Sequence, residues 1–152
     1  MSVLKAKRHK SKAEFVNVAN DILIETINFL TRLSARYSRL IAEPTAKIAA
    51  DLRDQARRAN AIYPNDPQKA ALRRGHIIEA QAALDSLDEA LTDVYQILMQ
   101  NPEGCFTTSA GKTVDASTAS KKLDKMAQHL GDLIDRETDL LAGALRDTDT
   151  HL

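Results

Sequence analysis

Four long stretches of the chain carry apolar residues three or four positions apart, and short breaks rich in Pro, Gly, Asn or Asp separate them. This spacing gathers apolar side chains on one face of an α-helix, whereas a half-buried strand alternates apolar and polar residues. A β-sandwich or barrel would need many turns, yet the 152 residues include only 5 Gly, 4 Pro and 4% aromatics. The pattern therefore predicts an all-α fold.

Two helices are predicted in the first part of the chain. The first covers residues 12–33 and starts at a capping box, in which the Ser11 hydroxyl and the Glu14 carboxylate each bind a backbone amide of the other residue. The second covers residues 38–62. Its regular part is expected from Glu43, because the proline that follows suits only the first turn of a helix.

Two longer helices are predicted in the second part. One covers residues 67–100, with Asp66 as its N-cap and a proline at its first position. The other covers residues 117–146, and the polar residues 147–152 are expected to fray. Residues 101–117 lie between these helices, and their Thr, Ser and Gly content fits either a small hairpin or a disordered loop.

The connections determine the predicted arrangement of these helices. Two of the three are short, which favours antiparallel neighbours and predicts an up-down-up-down four-helix bundle over residues 12–146. Residues 1–11 are predicted to form a basic tail. The second helix is rich in alanine, which suits close contact either inside the bundle or between protomers of a homo-oligomer.

Charge is distributed unevenly along a chain whose formal net charge is zero. Residues 1–80 carry 15 Lys and Arg against 8 Asp and Glu, and residues 81–152 carry 6 against 13. A field of one sign on one face steers a charged partner whatever the total charge is. The asymmetry points to a binding protein with a polyanionic or acidic partner.

Clusters of Lys and Arg mark the candidate binding surface. Scattered basic residues usually form a solvated helix face, but the planar fork of arginine suits phosphate contacts. Aromatic residues are too few for base stacking, so contacts to the phosphate backbone are the expected mode. The candidate residues are Lys5, Lys7, Arg8, Lys10, Lys12, Arg32, Arg36, Arg39, Arg53, Arg57, Arg58, Arg73 and Arg74.

No residue pattern favours an enzyme or a cofactor. Residues 109–113 resemble the end of a phosphate-binding loop, but Phe106 stands where that motif needs glycine and no parallel sheet is predicted around it. Residues 76–79 and 129–132 place a histidine and a carboxylate in the reverse order of a di-iron motif, so no metal site is expected. Cys105 has no patterned histidine partner.

Cellular location can be inferred from cysteine content and hydropathy. A single cysteine excludes an internal disulfide and fits a reducing compartment. No apolar run approaches the length of a membrane span, and no apolar segment follows the basic N-terminus as in a signal peptide. A cytoplasmic location is therefore expected.

Several segments together resemble the accessory variability determinant (Avd-like) proteins of diversity-generating retroelements. They are residues 11–15 (SKAEF), 33–37 (LSARY), 59–64 (ANAIYP), 73–74 (RR), 80–87 and 136–143. A related group, the four-helix-bundle proteins of ribosomal RNA intervening sequences, shares the architecture. The resemblance implies a four-helix protomer, a barrel-like homopentamer, and binding of a reverse transcriptase and its template RNA, or DNA, in mutagenic retrohoming without chemistry of its own.

A second class of function fits the same residues. The chain can instead be a protein–protein scaffold, or a four-helix-bundle protein of another mobile element, without direct nucleic-acid contact. A neighbouring reverse-transcriptase gene with a template and variable repeat pair would favour the first class.

Overall fold

The computed structural model describes residues 12–152, and within that range the chain forms four long α-helices and no β-strand. Helix α1 spans Glu14–Leu30, α2 spans Glu43–Ala61, α3 spans Pro67–Leu98 and α4 spans Ala116–Asp149. A short 3₁₀-helix follows α3 in the chain. The prediction of an all-α fold is confirmed.

Helix α1 begins and ends at different residues from those predicted. Its N-cap is Ala13, which makes no side-chain capping bond. The proposed cap, Ser11, lies outside the described residues, but a capping box would need Glu14 at the third helical position, and Glu14 is the first. The helix also ends at Leu30, and turns with 3.1 Å backbone hydrogen bonds follow it to Leu33.

Helix α2 is preceded by two irregular helical turns. Ala35–Tyr37 is a 3₁₀ turn and Ser38–Ala42 is a π-helical turn. Regular α-helix begins at Glu43, as predicted. Because Pro44 has no amide hydrogen, one α-helical hydrogen bond is missing in this region, and a wider turn is a common accommodation at such an interruption.

Helices α3 and α4 both begin at an aspartate cap. The Asp66 carboxylate accepts a hydrogen bond from the Lys69 amide at 2.8 Å, which confirms the predicted N-cap. Asp115 does the same for the Thr118 amide at 3.2 Å. At its other end α4 continues to Asp149, three residues beyond the predicted boundary, so the start of the segment predicted to fray is helical.

The four helices bury one apolar core between them. Large side chains such as Ile22, Phe29 and Leu87 are buried there. Ala56 and Ala59 of α2 are also fully buried, and α2 packs most extensively on α3. These alanines of α2 therefore serve contacts inside the molecule.

The connections lie at two separate ends of the helices. The α1–α2 connection is residues 31–42 and the α3–α4 connection is residues 99–115. Residues of both connections and of the last turn of α3 line one cavity. We call this end of the molecule the connection end. We call the other end, where α1 starts and α4 ends, the terminal end. There Arg73 of α3 contacts the turn after α2, the start of α1 and the end of α4.

Residues 107–113 fold back on themselves in a tight turn. Thr107 and Thr113 form an isolated antiparallel bridge, and the Thr108 amide donates to the Lys112 carbonyl at 2.6 Å. Gly111 has a φ of 77°, a conformation that glycine adopts without steric cost. Of the two predicted alternatives, the segment has the course of a small hairpin, with a single bridged pair.

Candidate nucleic-acid interface

The structure describes only part of the predicted basic surface. Lys5, Lys7, Arg8 and Lys10 lie outside the described residues. Lys12 is exposed just before α1. The eight arginines of the candidate set lie in the described region and differ sharply in what surrounds them.

Arg73 is engaged within the protein. Its Nε donates to the Thr148 hydroxyl at 3.0 Å, and one terminal nitrogen donates to the carbonyls of Ala59 at 3.0 Å and Ile62 at 3.2 Å. Burial lowers the pKa of Arg73, and the charge of Asp147 acts in the opposite direction. Since these bonds occupy much of its fork, the geometry favours a structural role over phosphate binding.

Two further arginines form ion pairs with neighbouring carboxylates. Arg74 donates to Asp149 at 2.9 Å, and Arg53 pairs with the adjacent Asp54 at 3.0 Å. Such partly exposed pairs contribute little to stability. They do, however, neutralise the arginines locally and weaken the attraction of either one for a phosphate.

Four arginines are exposed and have no ion-pair partner among residues 12–152. Arg57 and Arg58 lie on α2 towards its C-terminal end, while Arg36 and Arg39 lie in the α1–α2 connection. The Arg36 guanidinium lies 5.3 Å from the centre of the Tyr37 ring. No carboxylate of the described residues neutralises these four arginines, so they can attract an external anionic partner.

Arg32 lies at the connection end, against an aromatic ring. Its guanidinium is 4.6 Å from the centre of the Phe106 ring, and the Lys122 ammonium is 5.3 Å from the same centre. The buried Nε of Arg32 has no hydrogen-bond partner in the described part of the chain. Phe106 therefore brings together two cations from opposite halves of the sequence, and neither cation forms an ion pair with any of the described residues.

Helix α4 also contributes basic residues to the connection end, which was not predicted from the sequence. Lys121, Lys122 and Lys125 are all exposed at the start of α4, in the half of the chain that is acidic by count. Their short spacing on one helix was visible in the sequence. The sequence does not show that the start of α4 lies beside the residues that follow α1. The contacts of Arg32 and Lys122 with the Phe106 ring show this proximity.

The cavity at the connection end has a volume of about 290 Å³. Its lining residues include Arg32, Arg36 and Tyr37 from the α1–α2 connection, and Asn101 and Cys105 from the α3–α4 connection. No aspartate or glutamate is among the lining residues. The wall is therefore cationic and rich in hydrogen-bond donors.

Cys105 forms part of this wall as a protonated thiol. Its Sγ donates weakly to the carbonyls of Asn101 at 3.6 Å and Leu98 at 3.9 Å. Burial raises the pKa of the thiol, and the nearby charge of Arg32 opposes this effect. The thiolate needed for nucleophilic attack is thus disfavoured.

Glu137 is an ionisable residue on the buried face of α4. It is fully buried, and neither carboxylate oxygen has a hydrogen-bond partner within residues 12–152. Burial, together with the negative charge of Glu14, raises its pKa to about 8. The neighbouring Arg136 forms an exposed ion pair with Glu14, with 2.7 Å between the guanidinium and the carboxylate.

The described residues meet neither the requirements of a metal site nor those of a membrane-spanning helix. Among residues 12–152, no three His, Cys, Asp or Glu side chains gather as a metal site would require. His76 instead shares a hydrogen bond of 2.8 Å with Gln55. None of the described helices combines the length and apolar character needed to cross a membrane.

Comparison with known proteins does not assign the chain to a family. No protein-family model matches it, and no curated protein or solved structure is significantly similar to it.

Proposed function

We propose that the chain is a non-catalytic accessory protein that binds RNA through the basic surface of its connection end. The cationic side chains of Arg32, Arg36, Arg39 and Lys122 support this proposal, because none of them has a carboxylate partner among the described residues. Unpaired like charges repel one another, and a polyanion that neutralises several of them is attracted at long range. This cluster is the observation that carries the proposal.

The mode of binding is contact with phosphates. Arg36 and Arg39 are exposed on a turn, where their forks can reach a curved backbone. Arg32 and Lys122 lie over the Phe106 ring and Arg36 lies over the Tyr37 ring, so a base that stacks on either ring must compete with a cation for at least one of its faces. Binding therefore follows the shape and charge of the nucleic acid more than its sequence.

The protomer proposed here is an antiparallel up-down-up-down four-helix bundle in the cytoplasm. The direction of α3 and α4 supports this topology: Arg74 near the start of α3 pairs with Asp149 at the end of α4, and the Tyr95 hydroxyl near the end of α3 bonds Asp124 near the start of α4. Short connections are typical of such bundles.

The resemblance to Avd-like proteins suggests the biological partners. They are a reverse transcriptase and its template RNA, acting in a diversity-generating retroelement, with the chain assembled as a homopentamer. Exposed apolar side chains support self-association: Ile24 and Ile27 on α1 are 56% and 47% exposed, and Leu72 on α3 is 57% exposed. Such side chains mark contact surfaces when they cluster.

Salt dependence of RNA binding tests the phosphate contacts. The affinity for a labelled RNA is measured by fluorescence anisotropy from low to physiological salt, for the wild type and for the double variant Arg36→Ala/Arg39→Ala. Each phosphate contact contributes about one unit to the slope of log affinity against log salt, so we expect the slope to fall by about two. A DNA of the same sequence shows whether the sugar matters.

The matched control is Arg53→Ala/Arg74→Ala. It removes the same charge from residues that are already paired with Asp54 and Asp149. We expect a much smaller change in slope. Equal slopes for the wild type and both variants would overturn the assignment of the connection end to RNA.

A scaffold function is supported by two other side chains. Leu40 and Tyr63 are 79% and 77% exposed, at opposite ends of the α2 region. Large exposed apolar groups suit contact with another protein. Replacement of both by Ser, followed by RNA binding and a mass measurement by light scattering, separates the two functions: loss of association with intact RNA binding assigns them to protein contact.

A further inference from the structure

The cavity at the connection end is cationic and concave, and the candidate RNA surface surrounds it. We propose that this cavity is a phosphate pocket, which receives one phosphate group between Arg32 and Arg36. The inference rests on the proposed function if the phosphate belongs to an RNA backbone, and is independent of it if the phosphate belongs to a small ligand.

Charge is the first argument. Arg32 and Arg36 are among the residues that line the cavity, and none of its lining residues in the described part of the chain is an aspartate or a glutamate. Neither arginine forms an ion pair elsewhere among residues 12–152. A cavity with two uncompensated positive charges in its wall attracts an anion, and partial enclosure strengthens that attraction because it reduces screening by water.

The position of Arg32 is the second argument. Its guanidinium lies over the Phe106 ring at 4.6 Å, which restricts its movement. A stacked guanidinium keeps its N–H groups at its edge, where they can bind two oxygens of a phosphate at once. Its Nε is buried and has no partner among residues 12–152, so the terminal N–H groups of the fork are the donors left for a phosphate.

Neutral donors complete the wall. Ser34 and Asn101 line the same cavity, together with the apolar residues Leu33 and Leu98. A hydroxyl and an amide can donate to further phosphate oxygens. The volume of about 290 Å³ exceeds that of a single phosphate and leaves space for the sugar or other group attached to it.

Cys105 provides a direct test, because it is the single cysteine of the chain and lines the cavity. The rate of alkylation of its thiol by iodoacetamide is measured at pH 8.5, at constant ionic strength, with inorganic phosphate, with an RNA oligonucleotide that has no terminal phosphate, or with chloride alone. Anisotropy under the same conditions records whether the RNA is bound.

We expect phosphate or bound RNA to slow alkylation saturably, while chloride does not. Arg36→Gln weakens this protection by about tenfold in ligand concentration, as expected for loss of one charge-assisted contact. Arg32→Gln does the same if circular dichroism shows that it is folded. Arg74→Gln, at the terminal end, leaves protection unchanged.

The results separate the two proposals. Protection by RNA but not by free phosphate assigns the pocket to a backbone phosphate. Protection by inorganic phosphate, with no RNA binding at all, supports the pocket and overturns the proposed RNA function. Bound RNA without protection by either probe, or protection that persists unchanged in Arg36→Gln, overturns the pocket.

Discussion

Arg73 and Thr148 are 75 positions apart in the chain, and a 3.0 Å hydrogen bond joins the Arg73 Nε to the Thr148 hydroxyl. The hydroxyl in turn donates to the Ala144 carbonyl at 2.8 Å. The same arginine donates to the carbonyls of Ala59 and Ile62 at the end of α2, where backbone carbonyls have few helical donors. One side chain thereby ties together α2, α3 and α4.

Replacement of Arg73 should therefore destabilise the fold. Arg73→Ala removes the hydrogen bonds to the Thr148 hydroxyl and to the Ala59 and Ile62 carbonyls, although Ala59 still accepts from the Ile62 amide at 3.2 Å. We expect the free energy of unfolding to fall by about 2–3 kcal/mol. Arg73→Lys keeps the charge but not the fork, so it should recover only a small part of the loss. Urea denaturation of each variant measures these changes.

Arg74→Ala is the matched control for this prediction. Arg74 is the next residue in the chain, but its pair with Asp149 is more than 40% exposed on both sides. Its loss should cost less than about 1 kcal/mol. If Arg73→Ala were no more harmful than Arg74→Ala, the interhelical role of Arg73 would be refuted.

The end of α4 should matter for stability as well. Thr148 is 1% exposed, and a chain that stops after Arg146 loses it together with Asp149. We expect this truncation to lower the melting temperature by several degrees, because about 2 kcal/mol of contacts disappear. A chain that stops after Asp149 retains these contacts and should melt like the wild type.

The helices were predictable because their signals are local. The Asp66 cap and the period of three to four residues need no knowledge of the rest of the chain. The end of α4 was not predictable in this way. The polar residues 147–149 look like a frayed end until Arg73, far away in sequence, provides the partner that holds Thr148 in place.

In the candidate site, too, some features follow from local sequence and others depend on distant contacts. The clusters of arginine were visible in the sequence, but whether an arginine is free or engaged depends on its neighbours in space. Arg73 proved to be engaged and Arg36 exposed, although both were equally basic in the sequence. Lys122 lies at the connection end because it packs on Phe106, a contact that the sequence does not reveal.

Deletion of residues 1–10 should separate folding from partner binding. The first buried side chain of α1 is Phe15, and the helix begins at Glu14. We expect the melting temperature and helical circular dichroism to remain nearly unchanged. Affinity for RNA should weaken at low salt, since Lys5, Lys7, Arg8 and Lys10 are removed.

Two results would contradict this prediction. Unfolding of the shortened chain would show that the N-terminal segment packs on the helices. Unchanged RNA affinity at low salt would show that its charges serve solubility alone. Replacement of the four basic residues by Gln in the full chain controls for chain length.

Glu137 should make the stability of the protein depend on pH. The pKa of its buried carboxyl is raised from 4.5 to about 8, so the folded protein keeps this proton at neutral pH while the unfolded chain loses it. Unfolding then releases a proton between these two values. The free energy of unfolding should fall as pH rises from about 4.5 to about 8, by up to about 1.4 kcal/mol per pH unit.

The variant Glu137→Gln isolates this effect. Gln cannot ionise and has nearly the same shape, so its stability advantage over the wild type should be small near pH 4.5, grow towards pH 8 and then level off. Asp139→Asn, an exposed change two residues away, should leave the pH profile of the wild type unaltered. Urea denaturation of the three proteins across this range measures the profiles, and parallel curves for the wild type and Glu137→Gln would show that Glu137 is ionised in the folded state.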